Sequence, residues 1–527
     1  MTLLAPARPA PPRLSRRDAA LAGLASGVLA VGVAEVVAAF TGPSSEPLVA
    51  VGDAFVDRTP PWLKDAAISA FGTHDKQVLL GGAALVLGAL CALAGLLAVR
   101  RTVFGQWLVL GLGAVAALAA ATRPDATVLS VLPSLSAAIV GSVLLGLTTQ
   151  RLAAPTAEPA STGATTAPVA AGPGRRVLIG TVGGVAGVGA AAFAVGRLLG
   201  ERTRGAEASR AAVGLPAPAD PAPALPAGVE VGVSGVTPFV VPAADFYRID
   251  TALVVPRVRA EDWRLRIHGL VDREVTLDFA TLLASPLVER YVTLTCVSNE
   301  VGGDLIGNAR WLGLPLGPLL RQAGPHPDAD MVLSTSVDGF TCSTPLAALT
   351  DGRDALLAVG MNGEPLPVEH GFPVRMVVPG LYGYVSATKW VTDLEVTRFD
   401  RAQGYWTPRG WAERAPIKTE SRIDVPRPGQ EVAAGRVAVA GVAWAQHVGI
   451  DRVEVRVDGG AWQPAQLAAE AGIDTWRQWV YAWDATPGRH ELQVRATDRS
   501  GRPQTEDQAP PAPDGATGWD TVQVSVR

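Results

Sequence analysis

A chain of 527 residues is too long for one hydrophobic core, so it should divide into several domains. Hydrophobic residues make up 48% of it, a share that is high for a soluble protein, and the net charge of −4 comes without any Lys/Arg-rich run of the kind that binds nucleic acid. Three cysteines, Cys91, Cys296 and Cys342, are too few for a disulfide framework, and their spacing excludes a paired-cysteine zinc site or a CxxCH haem attachment.

Five apolar segments near the N-terminus reach the length of a bilayer-crossing helix, about 20 residues. They are rich in small residues, which allow membrane helices to pack closely, and their flanking arginines predict a cytoplasmic N-terminus. The segments cover approximately residues 19–40, 77–98, 103–121, 127–148 and 177–199. We therefore predict a multi-pass domain over residues 1–204 in the lipid bilayer of the cell membrane, with the rest of the chain extracytoplasmic.

Two further stretches, 152–174 and 205–236, are rich in Ala, Pro and polar residues. Both compositions favour extended, unpacked chain. The second stretch should be the linker that joins the membrane domain to the soluble part.

Residues 237–414 mix short strands with short helices. The run WRLRIHGLV alternates like a half-buried strand, and RWLGLPLGPLLRQAG contains a short buried helix closed by Gly324. This mixture predicts an α+β domain. Over residues 415–527 the pattern changes to period-2 runs separated by DGG, TPG and SG turns, which predicts an Ig-like β-sandwich.

The stretch VTLTCVSNE delivers Cys296 from a strand into a polar turn, and this cysteine has three interpretations. It could be a buried core thiol, the usual fate of a free cysteine, or it could pair with Cys342 in an oxidising compartment. It could also be a metal ligand or nucleophile, which its place beside Asn299 and two glycines favours, since loops at strand ends carry sites. Local chemistry alone ranks the first two interpretations ahead of the third.

Three motifs follow one another in the α+β part: YVTLTCVSNEVGG with IGNARWLGLPL, then MNGEPLPVEHGFPVRMVVPG, then SATKWVTDLEV. In this order they resemble the molybdopterin-binding domain of the sulfite oxidase family, and the sandwich, introduced by RAPIKTESRIDVPRPG, resembles that family's dimerisation domain. The five-helix N-terminus is similar to a membrane-anchored actinobacterial branch. The resemblance covers about residues 237–527 and implies an oxidoreductase with a molybdenum–molybdopterin cofactor and a possible homodimer.

The resemblance also implies roles for individual residues. Cys296 would supply the thiolate bound to molybdenum, and a soft thiolate suits such a metal–sulfur centre. An arginine can clasp a phosphate through two hydrogen bonds, as Arg375 would do here, whereas Asp250 stands where the sulfite oxidases carry a histidine. The implied cofactor-binding residues are Arg248, Asp250, Asn299, His370, Arg375, Ser386 and Lys389. Cys342 matches no ligand position, which favours a packing role.

The sequence departs from the sulfite-oxidising members at three positions. Glu300 occupies the place of an arginine in their cysteine turn, Ser386 stands where they carry another arginine, and Trp411 falls at the position of a catalytic tyrosine. A pocket that loses arginines and gains a carboxylate binds a dianion poorly. We therefore expect a neutral substrate rather than sulfite: a sulfoxide or N-oxide that is reduced, or a neutral donor that is oxidised.

The soluble part has no haem-attachment motif, no iron–sulfur cysteines and no dinucleotide fingerprint. Electrons should therefore pass through a separate redox partner, a cytochrome or a quinone-linked protein. The rival hypothesis is a membrane-tethered Ig-like binding or assembly protein whose molybdopterin domain has decayed. The joint retention of Cys296, His370, Arg375 and Lys389 argues against decay.

Export poses a separate problem, because the resemblance implies that the cofactor is assembled in the cytoplasm. A domain folded around its cofactor would need the twin-arginine route, which carries folded proteins. Two arginine pairs, Arg16-Arg17 and Arg175-Arg176, precede apolar segments and are candidate signals. Ordinary positive-inside anchoring explains either pair equally well.

Overall fold

The structure, a computed structural model, describes residues 14–60, 63, 70–71, 74–123, 126–153 and 175–527. The chain separates into two compact units. The first consists of the N-terminal part as far as Gly205 together with residues 252–254. The second consists of residues 206–251 and 255–527.

α-Helices build the described part of the first unit. They are α1 (Arg16–Thr41), α2 (Pro47–Arg58), α3 (Asp75–Arg100), α4 (Thr102–Ala121), α5 (Leu132–Ala153) and α6 (Arg175–Arg204). All but α2 are long and apolar enough to cross a membrane. The expected five apolar helices are therefore confirmed, whereas α2 was not among the predicted elements.

Small residues set the spacing of α1 and α3. A Cβ atom added at Gly23 of α1 would meet the carbonyl oxygen of Cys91, and one added at Gly95 of α3 would meet the carbonyl oxygen of Ala19. The two backbones therefore touch at places where only glycine leaves room. Cys91 is buried at this contact, so its thiol is a packing group.

The first part of the second unit combines two β-sheets with short helices. Its strands are β1 (Arg264–Gly269), β2 (Val275–Asp278), β3 (Val288–Thr295), β4 (Ile306–Pro315), β5 (Met331–Ser336), β6 (Thr341–Pro345), β7 (Leu356–Met361), β8 (Glu364–Pro365), β9 (Arg375–Val377) and β10 (Val391–Thr397). Its helices are α7 (Ala206–Ala212), α8 (Phe279–Ala284), α9 (Leu316–Ala323) and α10 (Leu346–Thr350). One sheet has the order β3-β4-β7-β8 with β9 on β7, and the other has the order β2-β1-β10-β5-β6.

The second part of this unit is a β-sandwich. Its strands are β11 (Glu420–Val425), β12 (Glu431–Val432), β13 (Gly435–Trp444), β14 (Ile450–Val457), β15 (Gln463–Pro464), β16 (Gln466–Leu467), β17 (Arg477–Ala485), β18 (Gly488–Asp498) and β19 (Asp520–Val526). They form two sheets, β11-β13-β17-β16 and β12-β19-β18-β14-β15, around an apolar core that includes Trp479 and Trp483. The predicted fold class of apolar helices, an α+β domain and an Ig-like sandwich is confirmed.

The expectation that residues 205–236 form an unpacked linker is wrong. After α7 the segment runs along the outer edge of β3, where the Ala219 N–H donates to the Leu287 carbonyl (2.7 Å) and the Glu289 N–H donates to the Asp220 carbonyl (2.9 Å). β3 is the edge strand of its sheet, and an uncovered edge would leave backbone groups unpaired. The composition of this segment predicts that it is extended, but it does not predict that the segment binds to the edge of β3. The other predicted linker, 152–174, lies outside the described residues apart from its first two positions.

A buried carboxyl group lies at the start of β11. Glu420 is 6% exposed; one of its oxygens accepts a hydrogen bond from Gln504 Nε2 (3.0 Å), and the other has no hydrogen-bond partner among the described residues. Burial raises the pKa of Glu420 to about 9, and the nearby Lys418 ammonium only partly opposes this. The folded protein therefore keeps Glu420 protonated at neutral pH, where the unfolded chain ionises it.

Replacement of Glu420 by Gln should remove a pH dependence from folding. In the wild type, this group's contribution is fully present below about pH 4.5 and declines as the pH rises towards the folded-state pKa of about 9, because over that window only the unfolded chain releases the proton. The slope should reach about 1.4 kcal/mol per pH unit. Denaturant unfolding of the full chain at several pH values, followed by tryptophan fluorescence, should show a flatter slope for Glu420→Gln, with exposed Glu413→Gln as the matched control. Equal slopes in wild type and Glu420→Gln would contradict this account.

Candidate functional site

β3 ends at Thr295 and delivers Cys296 into a turn, residues 296–305, which we call the cysteine turn. The Cys296 N–H donates to the Leu305 carbonyl (2.9 Å), and the Asn299 side-chain oxygen accepts from the Leu305 N–H (2.8 Å). Gly302 has φ +75°, a left-handed conformation that suits glycine. Asn299 therefore holds the shape of the turn, a role that the sequence did not distinguish from the cofactor contact predicted for it.

The two cysteines of the second unit are free thiols, so a disulfide between them is not formed. Cys296 is partly exposed; burial by its surroundings raises the pKa of its thiol, and hydrogen bonds from Ser298 act in the opposite direction. Cys342 is fully buried in β6, its Sγ lies 3.9 Å from the Gly383 carbonyl oxygen, and burial raises its pKa to about 12. Cys342 is thus a packing residue, as predicted, whereas Cys296 is a partly exposed residue at the start of the turn.

Three basic side chains from two of the motifs converge around Gly371: His370 and Arg375 from HGFPVR, and Lys389 from ATKW. His370, Arg375 and Lys389 are 4%, 6% and 9% exposed. Gly371 has φ +108°, and a Cβ atom added there would lie 3.0 Å from Arg375 Cβ and 3.1 Å from Lys389 Cβ. Arg375 Nη1 donates to the His370 carbonyl (3.2 Å). Only glycine at position 371 permits both this backbone conformation and this close approach.

The segment FYRID is anchored beside this cluster by Phe246. The Phe246 ring packs edge-on against His370, with centroids 5.7 Å apart, and it occupies the space above Gly307, where an added Cβ atom would lie 2.7 Å from the ring. Phe246 thereby places Asp250, whose carboxylate accepts from Lys389 Nζ (2.7 Å) and Arg248 Nε (3.0 Å). The structure therefore brings together five of the predicted residues: Arg248, Asp250, His370, Arg375 and Lys389.

Arg375 is a buried cation without a carboxylate partner among the described residues. Its guanidinium donates to the main-chain carbonyls of His370, Met376 and Ala387 and lies 5.2 Å from the centre of the Trp311 ring. Burial lowers the pKa of Arg375 to about 10. Burying a charge without a counter-ion costs free energy, so this arrangement calls for an anion.

The neighbouring basic groups respond differently to the same environment. Burial lowers the pKa of His370 to about 4, and the charges of Arg375 and Lys389 add to the effect, so His370 is neutral at pH 7. Burial also lowers the pKa of Lys389, to about 8, although Asp250 partly restores it. Because His370 Nε2 lies 3.0 Å from the Ala243 carbonyl oxygen, it must carry the proton and donate, which leaves Nδ1 as an acceptor.

Two residues at the site were not predicted from the sequence. The hydroxyl of Tyr247 is influenced by both parts of the site: burial raises its pKa, Cys296 acts in the same direction and Arg375 in the opposite one. Asp338 lies beside Lys389 and Asp250, and burial raises the pKa of its carboxyl group. Tyr247 directly precedes Arg248 in FYRID, so the motif contained a signal for it, but Asp338 reads in sequence only as part of a DGF turn.

Ser386, a predicted cofactor-binding residue, has its side chain bound within its own turn. This residue is fully buried, and its hydroxyl lies within hydrogen-bonding distance of the carbonyls of Leu381 (3.1 Å) and Tyr382 (2.9 Å). A side chain with no exposed surface cannot touch a bound group without rearrangement. We therefore assign Ser386 to stabilising the turn over residues 381–387.

Five half-buried aromatic rings form a continuous row, which we call the aromatic rim. Neighbouring ring centroids in the row are 5.2–6.1 Å apart. In order, its members are Phe340, Tyr405, Trp406, Trp411 and Tyr384. One end follows the turn that contains Asp338; the other adjoins Gly383, which lies against the Thr295 carbonyl. The rim therefore connects the basic cluster with the end of the strand that delivers Cys296.

Glu300, in the cysteine turn, is exposed.

Comparisons with known proteins agree with this site. Residues 252–406 match the oxidoreductase molybdopterin binding domain, and residues 420–494 match a bacterial Ig domain. Mitochondrial sulfite oxidase of Homo sapiens is 30% identical over 308 residues, which cover 49% of this chain and 56% of that protein. The uncharacterized oxidoreductase YuiH of Bacillus subtilis is 34% identical over 152 residues, 29% of this chain and 73% of that protein. A solved structure, the sulfane dehydrogenase SoxCD from Paracoccus pantotrophus, covers 56% of this chain and 82% of its own at 25% identity, with a TM-score of 0.48.

Fold and site together define a molybdopterin-binding oxidoreductase domain joined to an Ig-like sandwich. The chain belongs to the sulfite oxidase family of molybdopterin-dependent oxidoreductases, as its motifs predict. It spans about 56% of the length of the human sulfite oxidase that it matches.

The residues present fit molybdopterin, the cofactor of this family. Molybdopterin carries an anionic phosphate, and Arg375 is a buried cation that lacks an anion among the described residues. Its molybdenum is a soft metal that favours thiolate, and Cys296 is a free, partly exposed cysteine. The thiol of Cys296 therefore matches the metal of the cofactor, and the uncompensated charge of Arg375 matches its phosphate.

Replacement of Arg375 by Met should act oppositely on cofactor-free and cofactor-loaded protein. Without cofactor the change removes an uncompensated buried charge, so the free energy of unfolding should rise by about 1–3 kcal/mol. With cofactor the phosphate loses its partner, so cofactor retention should fall about 10-fold or more. Chemical unfolding and pterin fluorescence after dialysis measure the two effects.

Arg290→Met is the matched control, because Arg290 is paired with the carboxylates of Asp220 and Asp354. It should not stabilise either form. A loss of stability in cofactor-free Arg375→Met would contradict the interpretation of Arg375 as an uncompensated charge.

Proposed function

We propose that this protein is a membrane-anchored, extracytoplasmic oxidoreductase that transfers an oxygen atom to or from a neutral substrate. The observation that carries the proposal is the buried basic cluster, in which Arg375 donates to main-chain carbonyls and has no carboxylate partner among the described residues. When bound, the molybdenum–molybdopterin group supplies two-electron oxygen-atom transfer. The residues of the chain bind that group, orient it and hold protons near it.

Each residue of the cluster has a distinct proposed task. Cys296 ligates molybdenum as a thiolate, which the hydrogen bonds from Ser298 favour. Arg375 binds the phosphate, and its fixed fork of donors suits that geometry. Neutral His370 offers Nδ1 as an acceptor to the pterin, and Lys389 offers a donor whose charge is balanced by Asp250.

The rival hypothesis of a decayed domain finds little support at this site. Burying the Arg375 charge is costly unless an anion compensates for it. A domain that no longer bound its cofactor would gain stability from almost any neutral residue at that position. The retained charge therefore supports a working cofactor site.

The distribution of charge and aromatic surface supports a neutral substrate. Arg248 and Lys389 share the carboxylate of Asp250, so one net positive charge remains for a dianion, and Arg375 is assigned to the cofactor. The aromatic rim beside the site presents half-buried apolar surface, with Trp411 as one of its members. A sulfoxide or N-oxide with an apolar substituent matches that surface better than sulfite does, since a dianion needs unpaired cations.

Membrane anchoring and electron transfer complete the proposal. Five helices able to cross a membrane support an anchor, and the arginine distribution supports a cytoplasmic N-terminus. Both arginine pairs considered as export signals stand at the start of a helix: Arg16-Arg17 begins α1 and Arg175-Arg176 begins α6. Since the sequence contains no second redox motif, we propose a separate cytochrome or quinone-linked partner, and a homodimer by analogy with the family.

The thiol assignment predicts different behaviour for two cysteines. The full chain, matured with cofactor, should contain about one molybdenum per chain, and Cys296→Ser should lower oxygen-atom transfer by more than about 100-fold, beyond the 10–100-fold typical of residues that only support a metal ligand. Cys342→Ser should leave metal content and activity unchanged, because Cys342 is a buried packing residue. Elemental analysis and steady-state assays test both variants. Identical behaviour of the two would show that Cys296 is not the ligand.

The substrate assignment predicts poor use of sulfite. The wild type should turn over a neutral sulfoxide or N-oxide with a kcat/KM at least about 100-fold above that for sulfite, and Glu300→Arg should raise the sulfite value about 10-fold through charge. Glu274→Arg, a change at an exposed glutamate outside the cysteine turn, is the control and should leave the ratio unchanged. Efficient wild-type turnover of micromolar sulfite would overturn the substrate assignment.

A further inference from the structure

The Ig-like sandwich contacts both ends of the cysteine turn. At the start, Gln446, which follows β13 and is 2% exposed, donates from Nε2 to Thr295 Oγ1 (2.8 Å) and to the Thr293 carbonyl (3.3 Å). At the far end, Arg422 of β11 donates from Nη1 to the Gly303 carbonyl (2.7 Å). Thr295 immediately precedes Cys296. Two buried side chains of the sandwich therefore bracket the thiol.

The sandwich also covers the open edge of β3 where it leads into the turn. The Thr293 N–H donates to the Asp474 carbonyl (2.9 Å), and the Trp476 N–H donates to Thr293 Oγ1 (2.8 Å). β4 pairs with β3 on the other side, so the end of the strand is held from both directions. The residue before Cys296 consequently has little freedom to shift.

Arg422 is itself rigidly held. It is 6% exposed, its Nε donates to Asp424 Oδ1 (2.7 Å) and its Nη2 donates to Thr237 Oγ1 (3.0 Å). All three guanidinium nitrogens are thus engaged, and the planar fork fixes the direction of the bond to Gly303. Next to it, a Cβ atom added at Gly302 would lie 2.5 Å from an Asp520 carboxylate oxygen, so the turn lies directly against the sandwich.

We propose that Gln446 and Arg422 are positioning residues, through which the Ig-like sandwich holds the cysteine turn and presents the Cys296 thiol in one geometry. This role at the site goes beyond the dimerisation that family resemblance implies for the sandwich. It rests on the proposed function as far as Cys296 is a metal ligand. The bracing itself belongs to the chain without cofactor and can be measured there. A metal ligand must be held within about 0.5 Å, which a turn on an edge strand achieves only with outside support.

The first test uses the full chain without cofactor and measures alkylation of each cysteine by iodoacetamide, with peptide mass spectrometry as readout. Gln446→Met keeps the length of the side chain but removes both donors, so Cys296 should react about 10-fold faster because the turn opens more often. Cys342 should keep its wild-type rate, which shows that the fold is intact. The matched control is Gln493→Met, because Gln493 bonds to Arg456 and Thr521 within the sandwich and not to the turn.

A graded series at the other end keeps the proposal testable if Gln446→Met folds poorly. Arg422→Lys retains one donor for the Gly303 carbonyl and should give a rate between those of the wild type and Arg422→Met. In cofactor-loaded protein the same variants should shift the thiolate-to-metal absorption band and lower kcat about 10-fold with KM unchanged, because substrate contacts are not touched.

The proposal would be overturned if Cys296 were alkylated at the wild-type rate in both folded variants, Gln446→Met and Arg422→Met. It would also be overturned if Gln493→Met raised the alkylation rate of Cys296 as much as Gln446→Met does. If the variants raised the alkylation rate of Cys296 but the protein bound no molybdenum, the positioning role would be supported and the proposed function refuted. The two proposals therefore fail separately.

Discussion

The guanidinium of Arg375 lies buried against the Trp311 ring and main-chain carbonyls, and the described residues offer it no carboxylate. Such a charge is expensive to bury, and proteins ordinarily neutralise it with a partner. Among the described residues, the buried carboxylate that pairs with the basic cluster is Asp250, and it is bound to Lys389 and Arg248 instead. The cluster is thus organised for an incoming anion at some cost in stability, and much of the surrounding architecture serves to keep it so.

Glycine and aromatic residues make this arrangement possible. Gly371 lets a loop approach two basic side chains, and Gly307 makes room for Phe246, which in turn fixes FYRID against His370. Burial then leaves His370 neutral beside two cations. One site therefore contains a buried guanidinium, a neutral imidazole and a carboxylate shared by two cations, and their protonation states are set by their surroundings.

The edge of β3 shows that segments assigned to different domains by sequence can stabilise one another in the folded protein. The first half of its outer edge is covered by residues 219–220 and the second half by the sandwich. Two distant parts of the sequence therefore supply hydrogen bonds to one edge of β3. Trp444, the last residue of β13, and Trp476, which directly precedes β17, belong to the core of the α+β part. The two parts of the second unit share one hydrophobic and hydrogen-bonded interior, and we expect that removing the sandwich would disturb the cysteine turn.

Periodicity and length, which are local properties, were enough to predict the apolar helices, the α+β part and the sandwich, and contiguous motifs pointed to Cys296, His370, Arg375 and Lys389. Composition could not predict that residues 205–236 pack on an edge strand, since that depends on β3, which lies far along the chain. For the same reason Asp338 was not predicted, since it belongs to the site through its neighbour Lys389, and the hydrogen bonds of Ser386 to nearby carbonyls were not predicted either. The sequence by itself determined which chemical groups are available. The tertiary structure decided which of them face one another, because burial and hydrogen-bond partners arise only when distant segments meet.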